Sequence, residues 1–302
     1  MEPKRVDMQP SPPQFTQVEE KSLSPTRLAF NRFKKNKLAI TGIVFLALMV
    51  LVAIFADVIA THDPTQSNLA KVEANADSEN ILGTDQSGRD NFSRLVHGAR
   101  ISLTVGFFAM LFTVLIGGSL GSIAGYYGGK VDSVIMRVTD GMLIFPFLLL
   151  FLTIVAVLQN ITVPIFIFVI ALTSWTGICR MLRGTFLSIR EKEYILSARS
   201  IGCSDLRIIR KHFIPNAVGP IIVNATIMMA SMIVAESALS FIGFGIPQPT
   251  PTWGNMLTEA QSVRILRNNP EAWIPPGLCI VLTVLAINFI GDGLRDAFDS
   301  KS

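Results

Sequence analysis

Three carboxylates lie within or beside apolar stretches of this sequence, where ionisable groups can bind ions or carry protons. They are Asp57, Asp140 and Glu236, and only Glu236 lies well inside its apolar stretch. Ion-coupled secondary transporters place carboxylates inside the membrane in this way. A proton relay needs several ionisable groups, and only one carboxylate lies deep in an apolar stretch. Secondary transport of small solutes is therefore only an alternative interpretation.

Other patterns of reactive residues are incomplete. The segment AGYYGGK, which ends at Lys130, departs from a P-loop because Ala124 replaces a required glycine and Val131 a required serine or threonine. The 3 cysteines and 3 histidines are scattered, so neither a disulfide framework nor a metal site is predicted. We therefore expect no catalytic residue, no bound metal and no cofactor in this chain.

The elements that would position such residues are predicted to be membrane helices. Half of the 302 residues are hydrophobic and 16% are charged, whereas a soluble domain has about 25% charged residues. A helix needs about 20 apolar residues to cross the hydrocarbon of a bilayer. Six stretches qualify, so we expect an all-α, polytopic membrane protein. The predicted spans are 38–60 and about 101–125, 134–158, 163–181, 217–241 and 275–290.

The basic residues predict the direction in which the chain crosses the membrane. With the N-terminus in the cytoplasm, 20 of the 26 Lys and Arg residues fall on the inner side and 6 on the outer side. Cytoplasmic loops carry such an excess, so both termini are expected there. Residues 1–37 are predicted to form a cytoplasmic tail that is disordered at its start, and residues 38–302 are predicted to form the six-span domain. The basic residues lie beside apolar runs, which indicates contact with lipid and not with nucleic acid.

Small residues mark one face of the second stretch. Gly117, Gly121, Gly125 and Gly129 are four residues apart and therefore share a helix face. Such a face lets another helix approach closely in lipid. The pattern predicts close helix packing, and a moving interface between subunits is the alternative.

A basic, amphipathic stretch at 193–216, EYILSARSIGCSDLRIIRKHFIPN, lies between the fourth and fifth apolar stretches. Its apolar residues recur at spacings of three and four, as on one face of a helix. Gly202 interrupts the helix, Ser204 or Asp205 can cap the next turn, and Pro215 is expected to stop it. The stretch therefore predicts a helix, a sharp turn and a second helix on the cytoplasmic side. Anionic lipid headgroups or solvent could also face its polar side.

The same stretch resembles the EAA loop of ABC-importer permeases, whose pattern is E-A-A, three residues, G, nine residues, I-x-L-P. Gly202 takes the place of the glycine, Ala198 that of the second alanine, and Pro215 that of the proline. In that family the loop docks in a cleft of the ATPase subunit. The resemblance implies an ATPase-coupling loop at about 182–215 with these site residues: Glu193, Ala198, Arg199, Gly202, Asp205 and Pro215. The sequence departs from the pattern at Leu196, Ser197 and His212.

Three further segments are similar to motifs of the same family. Residues 81–103 contain a G-T-D-x-x-G-R-D motif, residues 235–257 an A-E-x-x-L-S-F-x-G-x-G motif followed by P-x-W-G-x-M, and residues 291–299 a C-terminal signature. The resemblance covers residues 27–302 and is to the C-type permease of dipeptide and oligopeptide importers. It implies half of a peptide pathway in the bacterial plasma membrane. The implied partners are a second permease, two ATPase subunits that hold ATP and Mg, and an extracytoplasmic peptide-binding protein.

Two further groups of residues are assigned roles on the outer side and within the membrane. Asp85, Arg89 and Asp90 are expected to dock the binding protein or shape an outer gate, and a local ion-pair clasp is the alternative. Glu236 is expected to face the pathway or a subunit interface. Its alternative role is a hydrogen bond to another helix.

Overall fold

The computed structural model describes residues 30–298, so the first part of the predicted tail, residues 1–29, lies outside the described residues. The described part is all-α, as predicted, apart from one isolated bridge between Thr84 and Asp90. Its α-helices, numbered here from Lys37, are α1 Lys37–Ile54, α2 Ala56–Ile59, α3 Asn91–Tyr127, α4 Gly129–Ile144, α5 Phe147–Leu158, α6 Val163–Ser174, α7 Thr176–Arg190, α8 Glu193–Ser200, α9 Asp205–Ile208, α10 Ile214–Phe241, α11 Trp253–Met256, α12 Val263–Asn268 and α13 Pro270–Phe298.

The described helices provide four to six candidate spans. Four are long and apolar enough by themselves: α1, α3, α13 and the continuous stretch Asp205–Phe241. The pairs α4 with α5 and α6 with α7 pass the same test together, and they are bent by 87° and 49°. The third predicted span is therefore not one straight helix. Pro146 has no N–H to donate and its ring disfavours a helical conformation at Phe145, which is extended, so the helix breaks there.

Helix α3 is longer than a membrane requires, with 37 residues. At 1.5 Å per residue it measures about 55 Å, against roughly 30 Å of hydrocarbon. The Asp90 carboxylate caps its first turn by accepting the Ser93 N–H at 2.7 Å. At its other end Gly128 adopts a φ of +68°, which glycine tolerates, and the chain turns into α4.

The glycine face of α3 packs against α7 within this chain. A Cβ atom on Gly117 would lie 2.3 Å from the Trp175 carbonyl oxygen, and one on Gly121 would lie 2.2 Å from that of Cys179. The backbones of the two helices are therefore in direct contact, as the spacing predicted. Gly129 does not belong to this face, because α3 has already ended and the next helix begins there.

Helix α3 also packs against α6, α10 and α1, while α13 packs against α10 and α1. Much of the apolar helix surface has no partner within residues 30–298. In the most apolar window of α1 only 17% of the residues are buried, and Val44 there is 64% exposed. Such surface fits lipid or another membrane subunit.

Pro215 does not stop the helix, contrary to the prediction. A π-helical turn at Ile209–Phe213 lies immediately before it, and the Ile214 N–H donates to the Ile209 carbonyl. Pro215 then stands in the first turn of α10, where its missing N–H is not needed. The wider turn therefore lets the basic stretch run into the fifth span without a break.

We expect Gly121→Ala to destabilise the assembled protein, because the added methyl group overlaps the Cys179 carbonyl. Overpacking of this kind costs about 1–3 kcal/mol. Gly141→Ala is the matched control, since Gly141 also lies in a helix and a Cβ there meets nothing within 4 Å. Thermal unfolding in detergent measures both, and equal melting temperatures for the two variants would contradict the packing described here.

Candidate functional site

The basic stretch forms two short helices, α8 and α9, and the turn between them; residues 193–213 are called the charged helix pair below. Glu193 lies in the first turn of α8, where a carboxylate interacts favourably with the helix dipole. Gly202 ends α8 with a φ of +79°, and its N–H donates to the Arg199 carbonyl at 3.0 Å. A Cβ on Gly202 would meet nothing within 4 Å in this chain. The glycine therefore serves the backbone turn, and the space beside it is open.

An apolar cluster anchors the charged helix pair to the spans. Ile195 and Phe213 are fully buried, and the Phe213 ring lies 5.0 Å from both Tyr126 on α3 and Phe186 on α7. The predicted cap of α9 differs in the structure. Ser204 takes the N-cap position without a side-chain hydrogen bond, and Asp205 instead accepts the Tyr126 hydroxyl at 2.6 Å.

The opposite face of the pair is exposed and combines apolar side chains with cations. Ile201 is 80% exposed, and Leu196 and Leu206 are more than half exposed. An open pocket of about 390 Å³ lies beside them and is lined by Ser204, Leu206, Arg207, Arg210 and Lys211. A face of this composition suits a protein partner with a mixed apolar and acidic surface.

The other end of α3 carries a buried network of charges. Asp85 accepts the Arg89 Nε at 2.6 Å and lies 3.4 Å from the Arg94 Nε. It also accepts the backbone N–H groups of Ser87 and Arg89. The side chains of Asp85, Arg89 and Arg94 are only 2–4% exposed. This is the local clasp that the sequence analysis kept as its alternative.

The network joins two distant segments, residues 61–94 and 244–269, which are together called the cap. Arg89 donates to Gln248, and Arg94 donates to the carbonyl groups of Pro64 and Pro249. Asp90 accepts the Asn80 amide at 2.9 Å while it caps α3. The charged side chains hold the cap together from inside, so any partner that docks there meets other residues.

Glu259, which no sequence motif marks, lies in the same network. It is 7% exposed, and its Oε2 atom has no hydrogen-bond partner in the described part of the chain. Burial and the neighbouring Asp85 carboxylate raise the pKa of Glu259 above its usual 4.5, against the opposing effect of Arg94 and Arg89. The charged form of Glu259 is therefore disfavoured in the folded protein.

Glu236, predicted to face the pathway or a subunit interface, is enclosed by the helices of its own chain. Its side chain is completely buried inside the chain. Its carboxylate accepts the Ser240 hydroxyl at 2.8 Å and the Ser102 hydroxyl of α3 at 3.2 Å. Ser102 in turn accepts the Trp253 backbone N–H at 3.1 Å. The alternative role, a hydrogen bond to another helix, is the one that the geometry shows.

The other two carboxylates predicted in or beside apolar stretches, Asp57 and Asp140, do not lie in one site with Glu236. Asp57 pairs with Arg100 at 2.9 Å, and Asp140 pairs with Arg180. Each carboxylate thus has its own partner on a neighbouring element. The structure does not bring the three together into a relay.

The side chains that connect the sites were not selected from the sequence. Tyr126 joins α3 to the charged helix pair, and Ser102 and Trp253 join Glu236 to the cap. Trp253 lies in a quoted motif, but its backbone contact to Ser102 has no sequence signal. Tyr126 lies in the AGYYGGK segment, where only the comparison with a P-loop drew attention to it.

Comparison with known proteins supports one interpretation of this arrangement. Residues 117–302 match the family described as binding-protein-dependent transport system inner membrane component. Residues 24–77 match the N-terminal TM domain of oligopeptide transport permease C. The chain is 41% identical over 298 residues to the dipeptide transport system permease protein DppC of Alkalihalophilus pseudofirmus, covering 96% of this chain and 94% of that one.

One further relative and one solved structure widen the comparison. The glutathione transport system permease protein GsiD of Pectobacterium atrosepticum is 37% identical over 290 residues, with 94% of each chain covered. Among solved structures, the inward-facing MetNI methionine ABC transporter matches with a TM-score of 0.57 at 20% identity. That match covers 69% of this chain and 97% of the other, and it shows that the fold is shared.

We expect Glu236→Gln to leave stability nearly unchanged and Glu236→Ala to lower it by about 2–4 kcal/mol. The amide keeps the shape and can bond the serine hydroxyls, whereas alanine leaves buried hydroxyls without partners and opens a cavity. Thermal unfolding of the detergent-solubilised complex measures this, with the exposed Glu191→Ala as control. A Gln variant that is fully stable but fails to support uptake would show that the charge itself serves transport.

We expect Glu259→Gln to raise the melting temperature near pH 8, with a gain that shrinks as the pH falls towards about 5. A carboxyl group whose pKa is higher in the folded chain stabilises the fold while it is protonated. That contribution is lost as the pH rises through the folded-state pKa, which lies above 4.5. Glutamine keeps the shape without the charge. A variant less stable than wild type at the higher pH would show that ion pairing with Arg94 and Arg89 outweighs burial.

Proposed function

Because this chain belongs to the family of inner membrane components of binding-protein-dependent transport systems, we propose that it forms half of a peptide-import pathway driven by separate ATPase subunits. It is an ABC-importer permease subunit, and its relatives are dipeptide and oligopeptide permeases. We propose peptides as its cargo, since relatives named for dipeptides, oligopeptides and glutathione all align over at least 88% of their length.

The exposed face of the charged helix pair is the observation that carries the proposal. Its inner side is fixed to α3 and α7 by the apolar cluster around Phe213. Its outer side presents Leu196, Ile201 and Leu206 among cations, with open space at Gly202. A segment that is held rigidly on one side and open on the other can pass the movement of a docked ATPase to the spans.

The proposal extends to the orientation of the chain and to its partners. We propose that the charged helix pair and both termini face the cytoplasm of a bacterium, in agreement with the excess of basic residues on that side. The cap then faces outward, where a peptide-binding protein docks on a surface whose shape the buried Asp85, Arg89 and Asp90 network maintains. A second, similar permease completes the pathway, and ATP with Mg is bound by two ATPase subunits.

We expect Gly202→Asp to abolish ATP-driven uptake of a labelled dipeptide while the permease subunits still insert and copurify. The side chain enters the open space at the turn, and it adds a carboxylate and backbone strain where the partner docks. Gly129→Asp is the matched control. Gly129 also has a positive φ, and a Cβ there also meets nothing within 4 Å; we expect this variant to transport like wild type.

The measurement uses the full complex in proteoliposomes with ATP inside and the loaded binding protein outside. Uptake by the Gly202 variant at the wild-type rate would refute the proposed coupling role. Equal loss in the two variants would attribute the effect to backbone strain in general, and that outcome would also count against the proposal.

A further inference from the structure

We propose that the Tyr126 hydroxyl is a positioning group, which holds the charged helix pair at a fixed angle to α3 so that movement of the pair is transmitted along that helix. This inference rests on the proposed function, because it concerns how the charged helix pair is coupled to the spans. Tyr126 is the penultimate residue of α3, and its side chain is 3% exposed.

Tyr126 contacts both arms of the pair. Its hydroxyl donates to Asp205 of α9 at 2.6 Å, across 79 residues of sequence. The Arg199 guanidinium of α8 lies 5.2 Å from the centre of its ring. Phe213, in the π-helical turn that follows α9, meets the ring edge-to-face at 5.0 Å. A single side chain at the end of α3 thus contacts both helices of the pair and the π-helical turn that follows them.

The hydroxyl group does something that burial of the ring does not. Apolar packing is non-directional, and the cluster around Phe213 would accept a phenylalanine ring as readily. A hydrogen bond to a carboxylate is directional and strong, so it fixes the rotation of α9 about the end of α3. Asp205 has no role as a cap that would compete for this bond, because the N-cap is Ser204.

The far end of α3 explains why this angle matters for transport. Partway along α3, the Ser102 hydroxyl donates a hydrogen bond to the Glu236 carboxylate. At the start of α3, Asp90 accepts the Ser93 N–H and is itself part of the cap. A rotation imposed at Tyr126 is therefore applied to an element that is tied to α10 and to the cap. Loss of the bond leaves the pair attached to α3 only by ring packing and the Arg199 contact, so that part of its movement is not passed on to α3.

The test is a double-mutant cycle on the complete complex with its binding protein in proteoliposomes, read as peptide imported per ATP hydrolysed. We expect Tyr126→Phe and Asp205→Ala each to lower this ratio by about threefold to tenfold, the range expected for one hydrogen bond. The double variant is expected to be no worse than either single variant, because both remove the same bond. Assembly is expected to remain at the wild-type level in all three variants. Basal ATP hydrolysis is expected to remain so in Tyr126→Phe, because the buried Tyr126 lies outside the charged helix pair.

Two variants serve as controls. Tyr127→Phe removes the adjacent hydroxyl, from a side chain that is 55% exposed, and is expected to leave the ratio unchanged. Asp205→Asn keeps a carbonyl oxygen as acceptor and is expected to retain most of the coupling, which a role of the charge alone would not allow.

The outcomes separate this inference from the proposed function. If the wild-type complex imports no peptide with ATP, the proposed function fails. If it does import peptide and Tyr126→Phe has the wild-type ratio, only the positioning role is refuted. Additive losses in the double variant would also refute it, because the two groups would then act independently. Should Tyr126→Phe fail to assemble, the exposed Asp205→Ala tests the same bond.

Discussion

Three glycines allow α3 to lie against α7 with no side chains between the two backbones, and much of the structure depends on that contact. Apolar side chains give little net preference for one helix neighbour over another in lipid, since the surrounding chains are equally apolar. Close backbone approach at Gly117 and Gly121 gives the pair a defined distance and register. With α3 fixed in this way, its two ends reach the cap and the charged helix pair.

Hydrogen bonds to carboxylates then add direction to this packing. Glu236 ties α3 to α10 through Ser102, while Asp205 ties it to the charged helix pair through Tyr126. Asp85 pairs with Arg89 and Arg94 inside the cap. Each carboxylate lies where an element meets a neighbour. Glu236 and Asp85 are also buried, so each of these two would be costly to leave without partners. The polar residues of this membrane protein therefore mainly orient its apolar helices.

Much of the fold could be predicted, because long apolar runs and glycine spacing report directly on burial in lipid. The positions at which the helices bend or break were harder to predict. Pro146 bends a span and Pro215 does not, since a π-helical turn at Ile209–Phe213 accommodates the second proline, and no local pattern announces that turn. The role of Glu236 could not be assigned either. A carboxylate in an apolar run is equally compatible with a pathway and with a partner on another helix, and only the fold brings Ser102 beside it.

The length of α3 has a mechanical consequence. A continuous helix of 37 residues is a lever of about 55 Å, and a tilt of about 5° about one end displaces the other by roughly 5 Å. That displacement is larger than the diameter of a water molecule and comparable to the width of an extended peptide backbone. A small swing at the Tyr126 end is thus enough, by geometry alone, to open or close a gap at the Asp90 end.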